Sequence, residues 1–225
     1  MSAKTCPPSS PHKHRILLVD DHALVREGFA ELLNSRADLE VCGQAGSAPE
    51  ALTAVDKLNP DIVVVDLSLQ GGSGLDLIKN LKFLHPFMRL LVLSMHDEAL
   101  YAERALRAGA LGYVMKREDS ATFLQAVHEV LMGRVFLSPA MRERMLQKAV
   151  GSNVAVDSNG MAHLSDRELE VFQLIGEGLT TQQIADRLNV SISTVETHRA
   201  HLKDKLKLAN GTELVRQAVE WVYSQ

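Results

Sequence analysis

Five residues with complementary chemistry each stand at the end of a short apolar run or directly after it. They are Asp20, Asp21, Asp66, Ser94 and Lys116. Three carboxylates brought together repel one another unless a cation lies among them, and ligation by oxygen atoms suits Mg²⁺. Metal-bridged acids would neutralise an incoming phosphoryl group, so that one carboxylate could act as a nucleophile and form an aspartyl phosphate. The hydroxyl and the ammonium could then bind phosphoryl oxygens.

Each of these residues alone has a simpler structural interpretation. An Asp at the end of a strand is more often a helix cap than a catalytic group. Ser94 could be an ordinary loop residue, and Lys116 a solvated surface charge. The combination of all five, each at the end of a predicted strand, favours one shared site.

The apolar runs that precede these residues predict a parallel sheet. They are rich in Val, Ile and Leu, and each is too short for a buried helix, which is typical of strands covered on both faces. The runs span residues 15–19, 39–43, 61–65, 89–93 and 111–115. Segments with helical spacing lie between them, which predicts an α/β fold with an open, doubly wound, five-stranded parallel sheet. Ligands bind at the carboxyl ends of such strands, where the five residues lie.

Composition and charge limit the function classes of the 225-residue chain. No apolar run reaches the roughly 20 residues of a membrane span, and the polar N-terminal stretch has no signal-peptide core, so we expect a cytoplasmic protein. Cys6 and Cys42 have neither disulfide nor metal-ligand spacing, and we expect reduced thiols. A net charge of −4 excludes a protein coated in positive charge but leaves room for a local basic face.

From Leu164 onward, helix start signals replace the strand pattern. The capping pairs are Ser165 with Glu168, Thr180 with Gln183, and Asn210 with Glu213. Two predicted helices, 181–188 and 192–206, are separated by only three residues, which is the tight connection of a helix-turn-helix. The sequence therefore predicts a second, all-α domain with four helices.

Basic charge is concentrated on the longer of these two helices. Residues 164–225 contain 7 Lys plus Arg against 9 Asp plus Glu, yet residues 198–207 contain four basic residues against one Asp. Such a local patch is what contacts to DNA phosphates require, although a solvated face of an ordinary helical bundle is the alternative. His198 and His201 lie three apart, but no third ligand accompanies them, so we do not expect a metal site there.

The first part of the chain resembles the receiver domain of two-component response regulators. The resemblance covers residues 14–136 and is carried by Val19-Asp20-Asp21, Val64-Val65-Asp66, Val92-Leu93-Ser94 and Tyr113-Val114-Met115-Lys116. It implies that Asp66 accepts phosphate from a sensor histidine kinase.

The same resemblance implies a metal site and a switch. Asp21, Asp66 and the carbonyl of Ser68 would bind Mg²⁺, and Asp20 would help through water. The Ser94 hydroxyl would move to the phosphoryl group, which Lys116 also contacts. The ring of Tyr113 would turn inward at the same time.

Two positions depart from the receiver pattern, since Gln70 and Arg117 stand where Pro is common. A competing hypothesis comes from haloacid-dehalogenase-like phosphatases, which also use an Asp nucleophile with Mg²⁺. Those enzymes need a second Asp two positions later as acid and base. Ser68 stands there and cannot shuttle a proton at neutral pH, so a hydrolase is the weaker hypothesis.

Residues 164–215 resemble the LuxR-type DNA-binding domain of NarL/FixJ response regulators. The matching residues are Leu164 to Glu168, Gly178, Ile184-Ala185, Leu188, Thr194-Val195, His198, Lys205-Leu206 and Glu213 to Val215. The family places the third helix in the major groove, and the candidate DNA contacts are Thr194, Glu196, Thr197, His198, Arg199, Ala200, Lys203 and Lys207. The last helix would pair with its mate through Leu214, Val215, Ala218 and Val222, or simply complete the monomer core with them.

Together the two resemblances predict a transcription regulator, not an enzyme, that is switched by phosphorylation. The predicted organisation is a disordered tail (1–13), a receiver domain (14–138), a linker (139–163) with a short helix and a flexible tether, and a DNA-binding domain (164–225). The expected partners are a sensor histidine kinase, double-stranded DNA and a second copy of the chain, with RNA polymerase as a further candidate and no membrane. A receiver acting only through protein contacts, or a DNA binder that ignores phosphate, is the alternative.

Overall fold

The computed structural model describes residues 13–69, 72–150 and 160–223. The strands are β1 (His14–Val19), β2 (Leu39–Ala45), β3 (Ile62–Val65), β4 (Ser68–Leu69), β5 (Gly72–Ser73), β6 (Arg89–Ser94) and β7 (Gly112–Met115). The helices are α1 (Ala23–Asn34), α2 (Ala48–Leu58), α3 (Gly74–Leu84), α4 (Glu98–Ala108), α5 (Ser120–Leu131), α6 (Pro139–Ala149), α7 (Asp166–Gly176), α8 (Thr181–Leu188), α9 (Ile192–Leu206) and α10 (Gly211–Tyr223). Within these ranges, no helix is long and apolar enough to cross a membrane.

Five strands form one parallel sheet in the order β2-β1-β3-β6-β7. This order confirms the predicted doubly wound sheet, because the chain runs outward from β1 to one edge and then crosses to the other. Helices cover both faces, so alternate residues of one strand enter different cores. In β1, Leu17 and Val19 pack with α2, α3 and α4, whereas Ile16 and Leu18 pack with α1 and α5.

The short hairpin β4–β5 follows β3 directly and was not predicted. Ser68 pairs with Ser73 and Leu69 with Gly72 in an antiparallel ladder. Two-residue strands carry no detectable alternation in sequence, which explains why pattern analysis missed them. The hairpin projects towards α8, so it lies between the N-terminal domain and the helices that follow the linker.

The predicted linker helix is present as α6. Ser138 caps it by accepting a hydrogen bond from the backbone of Met141, and Pro139 occupies its first turn. Met141 is buried in the core, and the Ser138 backbone amide donates to Glu98 Oε1 on α4 at 2.9 Å. The linker helix is therefore packed onto the N-terminal domain. The predicted flexible tether (151–160), except Gly160, and the tail (1–13), except Lys13, lie outside the described residues.

The C-terminal domain (160–223) contains the four predicted helices, and two of them begin with the predicted capping boxes. Ser165 and Glu168 exchange hydrogen bonds at the start of α7, as do Thr180 and Gln183 at the start of α8. The bounds of α8 and α9 agree with the predicted helices. Asn189, in a left-handed conformation, ends α8 and allows the tight turn into α9.

The helices α7 and α10 approach each other at a glycine. A Cβ on Gly176 would overlap the Ala218 carbonyl oxygen and lie 2.5 Å from Val222 Cγ2. Any larger side chain at this position would push α10 away from the domain core.

We expect Gly176→Ala to destabilise the C-terminal domain by about 1–3 kcal/mol, because the added methyl overpacks a backbone contact. Gly28→Ala is the matched control, since it lies in α1 with no atom within 4 Å of the new methyl, and it should stabilise by about 0.5–1 kcal/mol. Urea unfolding followed by circular dichroism measures both. Equal midpoints for Gly176→Ala and the wild type would contradict the close approach.

Candidate functional site

The carboxyl ends of the central strands bring the five predicted residues into one acidic pocket, defined as Asp20, Asp21, Asp66, Ser94 and Lys116. Val19 lies beside Val65 and Ser94 beside Met115 in the sheet, so the residues that follow them converge. Lys116 Nζ lies 2.6 Å from Asp20 Oδ2 and 2.7 Å from Asp66 Oδ2. One ammonium thus bridges two carboxylates from different strands.

The pocket is buried enough to shift the ionisation of its groups. Asp66 is 3% exposed, and this burial raises the pKa of its carboxyl although the Lys116 ammonium opposes the shift. For Lys116, burial favours the neutral amine, but the carboxylates of Asp66 and Asp20 outweigh it and raise the pKa of the ammonium. Lys116 is therefore charged at neutral pH, and it is the counter-ion that keeps a buried Asp66 available as an anion.

The carboxylates still present oxygen atoms without a partner. Asp66 Oδ1 is buried and makes no hydrogen bond to any described residue. Asp21 Oδ1 has His22 Nδ1 at 2.7 Å, but without hydrogen-bond geometry. Asp20, Asp21, His22 and Asp66 each place a candidate ligand atom within 4.8 Å of the others. His22 was not among the predicted ligands, and its place directly after the acid pair was the signal available.

The predicted switch residues also meet in the structure. Ser94 is fully buried, and its Oγ accepts a hydrogen bond from the His96 backbone amide at 3.3 Å. Tyr113 is 1% exposed and donates its hydroxyl proton to the His96 carbonyl at 2.8 Å. The ring of Tyr113 thus already faces inward in this structure, and both switch residues are connected through the backbone of His96.

His96 itself was missed by sequence reasoning. Its Nε2 shares a 2.8 Å hydrogen bond with the Oγ of Ser68, the first residue of β4 and two positions after Asp66. Burial, with a smaller contribution from the Lys116 charge, lowers the pKa of His96 to about 4, so the ring is neutral at pH 7. Its position two residues after Ser94 was the signal that could have identified it.

The predicted DNA face of α9, defined as the eight candidate contacts from Thr194 to Lys207, lies mainly on the outer side of the helix. Val195 and Leu202, on the other side of the helix, are fully buried. The described residues of the face that are exposed are Glu196, Thr197, Ala200 and Lys207, and those of intermediate exposure are Thr194, His198, Arg199 and Lys203. Apart from Ala200, the exposed residues of this face are polar or charged.

Two residues of this helix depart from a simple outward-facing role. His198 has a buried Nδ1 without a partner among the described residues, and burial lowers the pKa of its ring. Glu196 is 58% exposed, accepts a 3.0 Å hydrogen bond from the Thr181 hydroxyl, and has Arg199 Nε at 3.7 Å. In the absence of DNA, the Glu196 carboxylate therefore already has partners within the protein.

The predicted dimer residues on α10 divide into two groups. Leu214 and Ala218 are fully buried in the monomer core. Val215 is 40% exposed, and Val222 packs partly against the core. The first pair completes the domain, and only the second pair retains surface for another chain.

The two domains contact each other through α7. Asp166 Oδ2 accepts from Lys79 Nζ on α3, and Asp166 Oδ1 accepts from Arg104 Nη1 on α4, both at 2.9 Å. Tyr101 on α4 donates its hydroxyl proton to Gln173 Oε1 at 3.0 Å. The core on the α2–α4 side of the sheet is continuous with the core of the C-terminal domain.

Sequence comparisons divide the chain in the same way. Residues 16–128 match the family described as the response regulator receiver domain, and residues 162–218 match bacterial regulatory proteins of the luxR family. The oxygen regulatory protein NreC of Staphylococcus carnosus is 36% identical over 211 residues, which cover 92% of this chain and 97% of that protein. NreC of Staphylococcus haemolyticus is 35% identical over 210 residues, with the same coverage.

The chain is also similar to solved structures of response regulators. A two-component response regulator of the LuxR family from Aurantimonas sp. SI85-9A1 is 37% identical, with a TM-score of 0.58 over 61% of this chain and 99% of that one. RcsB from Salmonella enterica serovar Typhimurium, solved bound to the rprA promoter with the phosphomimetic BeF3-, is 25% identical. Its TM-score is 0.66, over 91% of this chain and 98% of that one.

Proposed function

We propose that phosphorylation of Asp66 controls DNA binding by this chain, which belongs to the response regulators that join a receiver domain to a LuxR-type DNA-binding domain. The family consists of DNA-binding transcription regulators. The observation that carries the assignment of Asp66 is its buried, unpartnered Oδ1 beside the Lys116 ammonium. A carboxylate with one oxygen neutralised and the other free is arranged to attack an electrophile.

The donor would be the phosphohistidine of a sensor histidine kinase. Asp66 Oδ1 attacks the phosphorus, an O–P bond forms, and the N–P bond breaks with its electron pair going to the leaving imidazole. Lys116, whose Nζ lies 2.7 Å from Asp66 Oδ2, and the Ser94 hydroxyl would bind the transferred phosphoryl oxygens. The product is an aspartyl phosphate that stays on the chain. A phosphatase of the competing family would need a second Asp two residues after Asp66 to hydrolyse it, and Ser68 stands at that position.

The donor set fits Mg²⁺. Asp20, Asp21, Asp66 and the carbonyl of Ser68 would hold it. Two observations support this: the three acids place carboxylate oxygens within 4.8 Å of one another, and Asp21 Oδ1 is buried without a hydrogen bond. The bound ion supplies positive charge that neutralises the phosphoryl group during transfer. His22 lies at the same rim and adds a nitrogen, which Mg²⁺ accepts less readily than oxygen.

The DNA-binding step would use α9 in the major groove. Its predicted DNA face carries Arg199, Lys203 and Lys207, which suit phosphate contacts. A dimer would place two such helices on neighbouring half-sites, with Val215 and Val222 on α10 as the remaining apolar contacts. RcsB, solved on promoter DNA, supports this use of the domain, and RNA polymerase is the further partner such a regulator would meet.

We expect Asp66→Asn to abolish phosphorylation by acetyl phosphate, because an amide is a poor nucleophile. Intact-protein mass spectrometry measures the roughly 80 Da adduct. Asp76→Asn, an exposed acid on α3, is the control and should be modified like the wild type. The wild-type adduct should also raise operator affinity about 5- to 100-fold in fluorescence anisotropy. Persistence of the adduct in Asp66→Asn would place the site elsewhere.

Removing Asp21 should weaken the metal site without touching the nucleophile. We expect Asp21→Asn to reduce Mg²⁺ affinity about tenfold or more in isothermal titration calorimetry. Asp76→Asn should leave the affinity unchanged. Wild-type affinity in Asp21→Asn would exclude this carboxylate as a ligand.

The predicted DNA face contains a carboxylate that phosphates would repel, so Glu196 should be tolerated near DNA only where it accepts from cytosine N4. Under this hypothesis Glu196→Ala relaxes the preference at one base pair in each half-site, as measured by operator selection from random DNA. Lys203→Ala should instead weaken all sequences alike and lower the salt slope by about one unit. An unaltered motif for Glu196→Ala would mean that its contacts with Thr181 and Arg199 are its whole role.

A further inference from the structure

A line of side-chain contacts runs from the acidic pocket to the DNA-binding domain. Ser68 Oγ shares a 2.8 Å hydrogen bond with His96 Nε2. The imidazole stacks on the ring of Tyr101, with 4.7 Å between the ring centroids and 23° between the planes. The Tyr101 hydroxyl donates to Gln173 Oε1 at 3.0 Å, across the domain boundary.

His96 contacts two switch residues and also Ser68, which follows Asp66 closely. Its backbone amide donates to Ser94 Oγ, its carbonyl accepts from the Tyr113 hydroxyl, and its ring meets Ser68. Any displacement of the Ser94 hydroxyl towards a phosphoryl group removes the acceptor of that backbone amide. His96 is therefore placed to move when the switch moves.

Tyr101 stacks on His96 and donates its hydroxyl proton to Gln173. The ring is 4% exposed, and burial raises the pKa of its hydroxyl, so the phenol remains a donor. A buried phenol needs an acceptor. Gln173 provides one because its amide nitrogen donates to Glu177 Oε1 at 2.9 Å, which turns its oxygen towards Tyr101. Gln173 itself is only partly buried and can accept from water once the contact opens.

The other polar contacts between the domains lie apart from this line. Asp166 binds Lys79 and Arg104, and among the described residues neither cation forms a hydrogen bond or ion pair with the acidic pocket. These ion pairs hold α7 on the N-terminal domain but offer no route for a signal from Asp66. Four residues of the predicted DNA face are exposed, so the contact between the domains does not bury this face of α9.

We propose that His96 is the positioning residue through which the acidic pocket holds the DNA-binding domain on the receiver, by keeping Tyr101 in its hydrogen bond with Gln173. Phosphorylation draws Ser94 away from the His96 backbone and moves Ser68, which shifts the imidazole through their shared hydrogen bond. Tyr101 then loses its stacking partner, and α7 is released. The inference rests on the proposed phosphorylation of Asp66 for its trigger, but not for the closed contact itself.

Hydrogen–deuterium exchange of the full chain tests the closed contact without phosphate. Tyr101→Phe removes one hydroxyl and keeps the ring, so the fold is retained and phosphorylation should be unchanged. We expect the amides of α7 to exchange at least threefold faster than in the wild type. Wild-type exchange in this variant would overturn the proposal.

His96→Phe tests the coupling. It keeps an aromatic ring against Tyr101 but loses the bond to Ser68, so α7 should stay protected. Beryllium trifluoride with Mg²⁺, which should speed α7 exchange in the wild type, should have at most half of that effect in this variant. If His96 had only a structural role, the variant could change the basal exchange of α7 but would keep the full response to beryllium trifluoride. A full wild-type response would overturn the coupling role.

Lys79→Met is the matched control, because it removes an interdomain ion pair outside the proposed line of contacts and should retain the response to beryllium trifluoride.

Failure of the proposed function and failure of the role of His96 give different results. If acetyl phosphate gives no mass adduct on Asp66, the proposed function fails, and Tyr101→Phe still decides whether the contact exists. If the adduct forms while α7 exchange in the wild type stays constant, phosphorylation stands and the role of His96 is wrong.

Discussion

The contact of the Lys116 ammonium with two buried carboxylates is the constraint on which the receiver domain depends. Asp20 and Asp66 are 6% and 3% exposed, and unpaired charges at such sites would cost several kcal/mol. The pairing is available only if β1, β3 and β7 end at the same level, which their register ensures. The apolar strands therefore serve to place three charges, and the pocket would be lost with any slip of a strand.

Much of this arrangement could be predicted from the sequence because it repeats a simple pattern. The strands β1, β3 and β6 are rich in Val, Ile and Leu, and each ends in a polar residue or is followed directly by one. The capping pairs of the second domain mark where α7 and α8 begin. The hairpin β4–β5 could not be predicted, since two-residue strands have no period. Nor could the contact of Tyr101 with Gln173, because the partners are 72 residues apart and lie in separate domains.

The pocket itself was predicted more completely than its surroundings, and the reason is chemical. Acid, hydroxyl and ammonium groups at strand ends have few structural uses together, so their types alone indicate a site. His96 and His22 could serve many purposes, so their places beside Ser94 and the acid pair were weak signals until their neighbours in space were known. On α10 the residue types do not indicate one role, because apolar residues suit a monomer core and a dimer interface equally. Burial of Leu214 and Ala218 shows that two of them serve the core.

The close approach at Gly176 gives the DNA-binding domain a mechanical property. Because Gly176 has no side chain, the backbone of α10 lies directly on α7 at this point, and Val222 and the Phe172–Trp221 ring contact add to the packing. The two helices should therefore move as one rigid unit. The receiver contacts of Asp166 and Gln173 belong to the same unit as the exposed Val215, so the way this unit lies on the receiver would set the direction from which a second chain can join.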